Sequence, residues 1–142
     1  ALGSKALSSL RKMSFKMPGC FHPDTLVRLK NNSLIKMKDL SLNAILKDGS
    51  RVISVMKISN LNDNNNQNEI FYKIKSGEDN NDILVTGSHL VYDDSIKKYI
   101  KVEELKSAVK TKVKSKEVSC LVTSNNKILL GEWTFSDWEE IY

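Results

Sequence analysis

From Cys20 onward the sequence is a succession of short apolar runs separated by turn-forming residues. Residues 25–29 alternate as a half-buried strand does, and Asn31-Asn32 then offers a tight turn into a second run at 33–37, which predicts a hairpin. Further runs that predict strands cover residues 51–59, 71–75, 83–85, 90–92, 99–102, 117–122, 128–130 and 133–135. Many short strands with frequent turns favour an all-β sandwich, barrel or curled β fold over any parallel architecture.

Three segments depart from this pattern of short strands. Residues 1–19 are rich in Ser, Lys and Met and end in Pro18-Gly19, a pair that breaks regular structure, so we expect an upstream leader followed by one domain at 20–142. Residues 60–69 are nearly free of apolar side chains, which indicates a polar loop inside that domain. Residues 102–110 have a short helical pattern.

Composition and charge give only weak indications about partners. The net charge of +5 raises the question of nucleic acid, but the basic residues are mostly scattered lysines, and the dense run at 106–116 has no interleaved aromatic side chains on which bases would stack. We therefore expect no nucleic-acid partner. No run approaches the roughly 20 apolar residues of a membrane helix, so we expect no membrane partner. Two distant cysteines do not make a secreted disulfide framework, which favours a reducing, intracellular compartment.

Two short segments carry residues capable of chemistry. Cys20 follows Pro18-Gly19 and begins the first strand region, while Thr86-Gly87-Ser88-His89 lies between two apolar runs and places a hydroxyl and an imidazole on one turn. Taken alone, each has an ordinary structural interpretation, as a buried small cysteine and as a Ser/Thr turn with a surface histidine.

Together these segments resemble the Hint family, which includes inteins and Hedgehog C-terminal domains. Cys20-Phe21 followed by residues 24–27 is similar to the family's opening block, and Thr86-x-x-His89 is similar to its second block. Residues 118–123 and 128–135 resemble the last two strands of inteins. The resemblance covers residues 20 to about 138 and implies an all-β Hint horseshoe of short curled strands with pseudo-twofold symmetry.

The resemblance also implies a self-processing reaction. The Cys20 thiol would attack the carbonyl of Gly19 and convert the scissile Gly19–Cys20 amide into a thioester, an N–S acyl shift. His89 would protonate the departing nitrogen of Cys20, and Thr86 would hydrogen-bond the same amide. The substrate is the protein's own flanking polypeptide, no cofactor is needed, and we expect a monomer.

The downstream end departs from the intein pattern, in which a His-Asn pair is followed by Cys, Ser or Thr. Here the corresponding residues are Ser136-Asp137-Trp138, so the asparagine that cyclises is replaced and Trp138 has no nucleophile. We therefore expect N-terminal cleavage, by water or an external nucleophile, rather than splicing. Asp137 is either a poor substitute for the cyclising asparagine or an ordinary solvent-facing acid.

Cys120 lies near the position where many inteins carry an active-site Asp or Cys. It would either adjust the surroundings of the amide and the thioester or serve as a buried structural cysteine. If both thiols face the site, a Cys20–Cys120 disulfide would lock the precursor in an inactive state. The set Cys20, His22, His89 and Cys120 also raises a zinc site; its spacing argues against structural zinc, whereas zinc bound at Cys20 and His89 would act as an inhibitor.

Two other functions stay open at this point. A catalytically inactive Hint-fold module that serves binding or structure would keep the same fold without cleavage. A basic, β-rich nucleic-acid binder rests on the net charge alone and predicts steeply salt-dependent binding.

Overall fold

The computed structural model describes residues 19–77 and 81–139. The expected leader therefore lies, apart from Gly19, outside the described residues. Two 3-10 turns, Met37–Asp39 and Val102–Glu104, accompany the strands, and no helix in the described ranges is long and apolar enough to span a membrane. The strands are β1 Leu26–Arg28, β2 Leu34–Lys36, β3 Val52–Ser59, β4 Phe71–Lys75, β5 Asp82–Thr86, β6 Leu90–Asp93, β7 Lys98–Lys101, β8 Val109–Lys110, β9 Glu117–Thr123, β10 Lys127–Leu130 and β11 Trp133–Ser136.

The all-β class predicted from the sequence is confirmed, and every run predicted as a strand coincides with an observed strand to within a residue or so. The helical prediction for residues 102–110 is wrong beyond the single 3-10 turn at its start. Its last two residues form β8 instead, because Val109 and Lys110 pair with Lys73 and Tyr72 of β4. Pairing with a distant strand has overridden the local preference.

The strands form several small antiparallel sheets. Long β3 pairs with β9, β4 lies between β5 and β8, and β6 and β11 form the middle of the order β10-β11-β6-β7. The predicted β1–β2 hairpin is present, with Val27 opposite Ile35. Residues 60–70 connect β3 to β4 as the predicted polar loop, which the buried Asn60 closes by bonding the Glu69 backbone through both of its amide atoms.

One short segment, residues 19–22, ties these sheets together. Phe21 bridges β5 through Val85 and β9 through Ser119, exchanging backbone hydrogen bonds of 2.9 and 2.8 Å with Ser119. The Phe21 ring is fully buried and meets Phe135 of β11 edge-on, with 5.2 Å between the ring centroids. The large apolar burial around Phe21 fixes the backbone of the preceding residues, Gly19 and Cys20, in the interior.

Candidate active site

Thr86, at the end of β5, holds the backbone of Cys20 from two sides. The Cys20 N–H, which belongs to the Gly19–Cys20 amide, donates to Thr86 Oγ1 at 3.1 Å. The Thr86 N–H in turn donates to the Cys20 carbonyl at 2.9 Å. Both residues are fully buried, so these bonds have no competition from water. The contact between Thr86 and the scissile amide that the resemblance implies is therefore present.

His89 lies at the end of the turn that follows β5. Its N–H donates to the Thr86 carbonyl at 3.1 Å, and its side chain is buried against the rings of Phe21 and Phe135. His89 Nε2 lies 2.6 Å from the carbonyl oxygen of Ser136. A carbonyl oxygen only accepts, so Nε2 carries the proton. The other ring nitrogen, Nδ1, is buried and has no hydrogen-bond partner.

The imidazole of His89 is neutral in this environment. Burial lowers the pKa of His89 to about 4, although the hydrogen bond to Ser136, the nearby backbone of Cys20 and the negative charge of Asp137 act in the opposite direction. At neutral pH the ring therefore holds one proton, on Nε2, and Nδ1 presents a lone pair. Such a ring accepts a proton at Nδ1 before it donates one there.

Gly19 packs directly against His89. A Cβ atom added to Gly19 would lie 2.4 Å from the Cα atom of His89 and 2.6 Å from its Cγ atom, the ring atom bonded to Nδ1. Gly19 also has a φ of +117°, in the region that favours glycine. The Gly19–Cys20 bond and the imidazole ring are thus neighbours only because residue 19 lacks a side chain.

The two cysteines are joined in a disulfide. Cys20 and Cys120 of β9 are 4.7 Å apart between Cα atoms, and both are buried in a cluster with Phe71 and Val118. Three half-buried side chains, Met56, Ile58 and Trp138, cover this cluster. The structure therefore brings Cys120 to the site and shows the oxidised pair, in which Cys20 has no thiol with which to attack.

The possible zinc ligands are not gathered into one site. No group of three or more His, Cys, Asp or Glu side chains within the described ranges is arranged to hold a metal ion. The Nδ1 atom of His22 accepts the Asp24 N–H at 3.1 Å, and its ring stacks edge-on against Phe71. Inhibitory zinc at Cys20 and His89 stays a prediction for the reduced state.

Asp137 is buried, so its interpretation as a solvent-facing acid is wrong. Its carboxylate accepts the N–H of Thr123 at 2.9 Å, the side-chain amide of Asn126 at 3.2 Å and the N–H of Glu139 at 3.0 Å. Burial of a carboxylate is unfavourable unless such donors surround it, which explains why the turn between β9 and β10 closes over this residue.

Two groups at the candidate active site could not be identified from the sequence. The carbonyl of Ser136 sets the protonated nitrogen of His89, and a backbone carbonyl has no sequence signature. Trp138 was judged only by its missing nucleophile, yet it packs against the cysteine cluster. Its position one residue after the site of the absent asparagine was the available signal.

The comparisons with known proteins concern the fold. The sequence matches no protein-family model and no curated protein at a significant level. The structure is similar to a DnaB intein from Synechocystis sp. PCC 6803, with a TM-score of 0.61 and 14% sequence identity over 84% of this chain and 98% of that chain.

Two further solved structures agree with this comparison. For the gp41-1 intein the TM-score is 0.60 and the identity 13%, over 84% of this chain and 98% of that chain. For the Ssp DnaB mini-intein variant M86 the values are 0.63 and 15%, over 87% and 97%. The chain therefore has the Hint fold of inteins, and the resemblance seen in the sequence is confirmed at the level of the fold.

Proposed function

We propose that this domain is an autoprocessing domain that cleaves its own chain at the Gly19–Cys20 bond through a thioester. The observation that carries the proposal is the position of that bond: its N–H is bound by Thr86, and its glycine is packed against His89. In the proposed reaction each domain acts once, on its own polypeptide, and no cofactor takes part. The intein fold supports autoprocessing in general, and the site residues carry the finer assignment.

The reaction begins only after the disulfide is reduced. A two-electron reductant, such as a dithiol or a phosphine, breaks the Cys20–Cys120 bond and leaves two thiols. The Cys20 sulfur then attacks the Gly19 carbonyl carbon, the bond from that carbon to the Cys20 nitrogen breaks, and the thiol proton ends on the released amine. A thioester and a free amino group replace the amide and the thiol.

His89 suits the transfer of that proton from sulfur to nitrogen. Nδ1 is unprotonated and bonded to Cγ, the ring atom that packs against Gly19, so we assign to it the transfer: it accepts the thiol proton and then donates it to the departing nitrogen of Cys20. The hydrogen bond from the Cys20 N–H to Thr86 keeps that nitrogen in place during both steps. Cys120, released by the same reduction, stays beside the thioester.

The thioester is resolved by water or by an external nucleophile, which gives N-terminal cleavage instead of splicing. Ligation to a downstream segment requires a nucleophile at residue 138 and a cyclising group at residue 137. Trp138 supplies no nucleophile, and the carboxylate of Asp137 is bound by three N–H donors. The downstream half of splicing therefore lacks its chemistry.

Intact masses measured after incubation under four conditions test the proposal. The protein is incubated in buffer, with a phosphine, with hydroxylamine, or with both, so that reduction and trapping of the thioester are separated. Release of residues 1–19 is expected to be fast with both reagents, slow with the phosphine alone, where only water resolves the thioester, and absent without the phosphine; Cys20→Ala should abolish it. A full-length mass after prolonged treatment of the reduced, metal-free protein would refute the proposal.

A second candidate function is a catalytically inactive Hint-fold module used for binding or structure. The buried disulfide favours it, since a cross-link between residues 20 and 120 also serves as a structural staple. The same four masses decide between the two functions, because the inactive module keeps its full length when reduced and trapped.

A further inference from the structure

The carboxylate of Asp137 links two separate parts of the backbone. It joins the turn between β9 and β10, through Thr123 and Asn126, to the chain that follows β11, through Glu139. Asn126 has a φ of +61°, a conformation that asparagine tolerates better than most residues, and its side chain is thereby turned toward Asp137.

One peptide group connects this turn to His89. The Ser136–Asp137 peptide presents its carbonyl to His89 Nε2 at 2.6 Å and its N–H to the Asn126 carbonyl at 3.2 Å. In a trans peptide the C=O and N–H bonds point in opposite directions within one plane. A contact that fixes the N–H on one side therefore fixes the carbonyl that faces the imidazole on the other.

We propose that Asp137, together with Asn126, is a positioning residue for His89: it holds the Ser136 carbonyl in the orientation that keeps the proton on Nε2 and leaves Nδ1 free for the Gly19–Cys20 bond. This inference rests on the proposed function. It gives Asp137 a role other than cyclisation, at the position where inteins carry the cyclising asparagine.

The negative charge of Asp137 supports the same positioning role as the geometry. The negative charge of Asp137 raises the pKa of His89 against the effect of burial. An imidazolium forms briefly when Nδ1 carries the thiol proton, and a nearby carboxylate stabilises it. Asp137 therefore acts on His89 through the Ser136 carbonyl and through its charge.

The first test variant is Asp137→Asn, which keeps the shape and removes the charge and one acceptor. Asp93→Asn is the matched control, because Asp93 also accepts hydrogen bonds within a turn, from the N–H and the hydroxyl of Ser95, and that turn lies between β6 and β7 rather than between β9 and β10. A second variant, Asn126→Gly, keeps the left-handed backbone and removes only the side-chain donor. If Asp137→Asn does not fold, Asn126→Gly alone is used to test the inference.

Two readouts separate positioning from a merely structural role. The first is the tautomer of His89, read from imidazole nitrogen shifts by NMR in the oxidised protein, where cleavage is blocked and the chain has only two histidines. The second is the cleavage rate with phosphine and hydroxylamine. We expect Asp137→Asn to weaken the preference for Nε2–H and to slow cleavage by about tenfold to a hundredfold, the effect of losing one charge-assisted hydrogen bond.

Asn126→Gly should change both readouts in the same direction by less, and Asp93→Asn should change neither. An unaltered tautomer and rate in folded Asp137→Asn and Asn126→Gly would overturn the inference, and so would equal effects of Asp137→Asn and Asp93→Asn. Cleavage after residue 137 in Asp137→Asn would also count against it, because the side chain would then be free to cyclise. If wild-type protein does not cleave, the proposed function fails, while the tautomer still decides the positioning role.

Discussion

Replacement of Gly19 by alanine is the sharpest perturbation of the proposed reaction, because it adds one methyl group between the scissile bond and the imidazole. In the structure that methyl carbon would lie 2.4 Å from His89 Cα, 2.5 Å from Cβ and 2.6 Å from Cγ. Two of these atoms belong to the side chain and one to the backbone of a buried turn. None is the end of a flexible side chain that could swing away.

The magnitude follows from these distances. Ordinary contacts of a Cβ atom begin at 3.4 Å, so Gly19 and His89 must move apart by about 1 Å. A displacement of ~1 Å in an active site lowers rates by about 10²-fold. The positive φ of residue 19 adds about 1–2 kcal/mol of backbone strain once a Cβ is present. We therefore expect Gly19→Ala to slow cleavage about a hundredfold or more.

Gly49→Ala separates the contact from the backbone strain. Gly49 also has a positive φ, +90°, but nothing lies within 4 Å of the added Cβ. This variant should lose about 1 kcal/mol of folding stability and cleave at the wild-type rate. The assay is the rate of release of residues 1–19 by phosphine plus hydroxylamine, followed by intact mass. Wild-type cleavage by folded Gly19→Ala would refute the reasoning, and so would equal slowing by both variants.

The remaining predictions concern the cysteines, the catalytic pair, the downstream end and pH. Cys120→Ala should cleave with hydroxylamine alone, since no disulfide can form, and a persisting need for phosphine would contradict the redox step. His89→Ala should suppress cleavage more than Thr86→Ala, because the first removes the proton carrier and the second removes a single hydrogen bond. Equal rates in wild type and His89→Ala would disprove the assignment. No product joining residues 1–19 to a C-terminal fusion should appear in mass spectra, and its detection would show that splicing occurs. Because the pKa of His89 is lowered from 6.5 to about 4 in the fold, the unfolded chain binds more protons between these values. Neutral His89 therefore contributes about 3 kcal/mol to the free energy of unfolding above pH 6.5, and this contribution is lost as the pH falls to 4. Urea midpoints that fall equally in wild type and His89→Gln over this range would argue against it.

Most of the fold could be predicted from the sequence because its strands are specified locally. The alternation in residues 25–29 and the turn-forming Asn31-Asn32 lie within one hairpin, so both strands and the connection between them could be predicted. The strand β8 could not be predicted, because two residues carry no periodicity and their partners, Tyr72 and Lys73, are distant in sequence.

The site could be predicted only as far as its side chains have characteristic types and spacing. Thr86 and His89 were found through their spacing on one turn and their resemblance to a known block, and the structure places both beside Gly19–Cys20. The role of the Ser136 carbonyl depends on the pairing of β11 with β10, in which Lys127 lies opposite Ser136. The burial of Asp137 depends on the same tertiary pairing, so neither could be read from residues 136–138.

The disulfide reconciles two interpretations that exclude each other in the sequence. A nucleophilic Cys20 and a structural Cys20 are alternatives for one residue, but in the proposed reaction they are the reduced and the oxidised state of one pair, of which the structure shows the oxidised state. With a sequence separation of 100 between the cysteines, the cross-link stabilises the fold by about 4–5 kcal/mol in the chain-entropy account. That is a large part of the roughly 5–15 kcal/mol that holds a domain together. The reduction that releases the thiol therefore also loosens the fold that positions it, and the reduced site must rely on the packing of Phe21 and on the bonds of Thr86 to keep the scissile amide against His89.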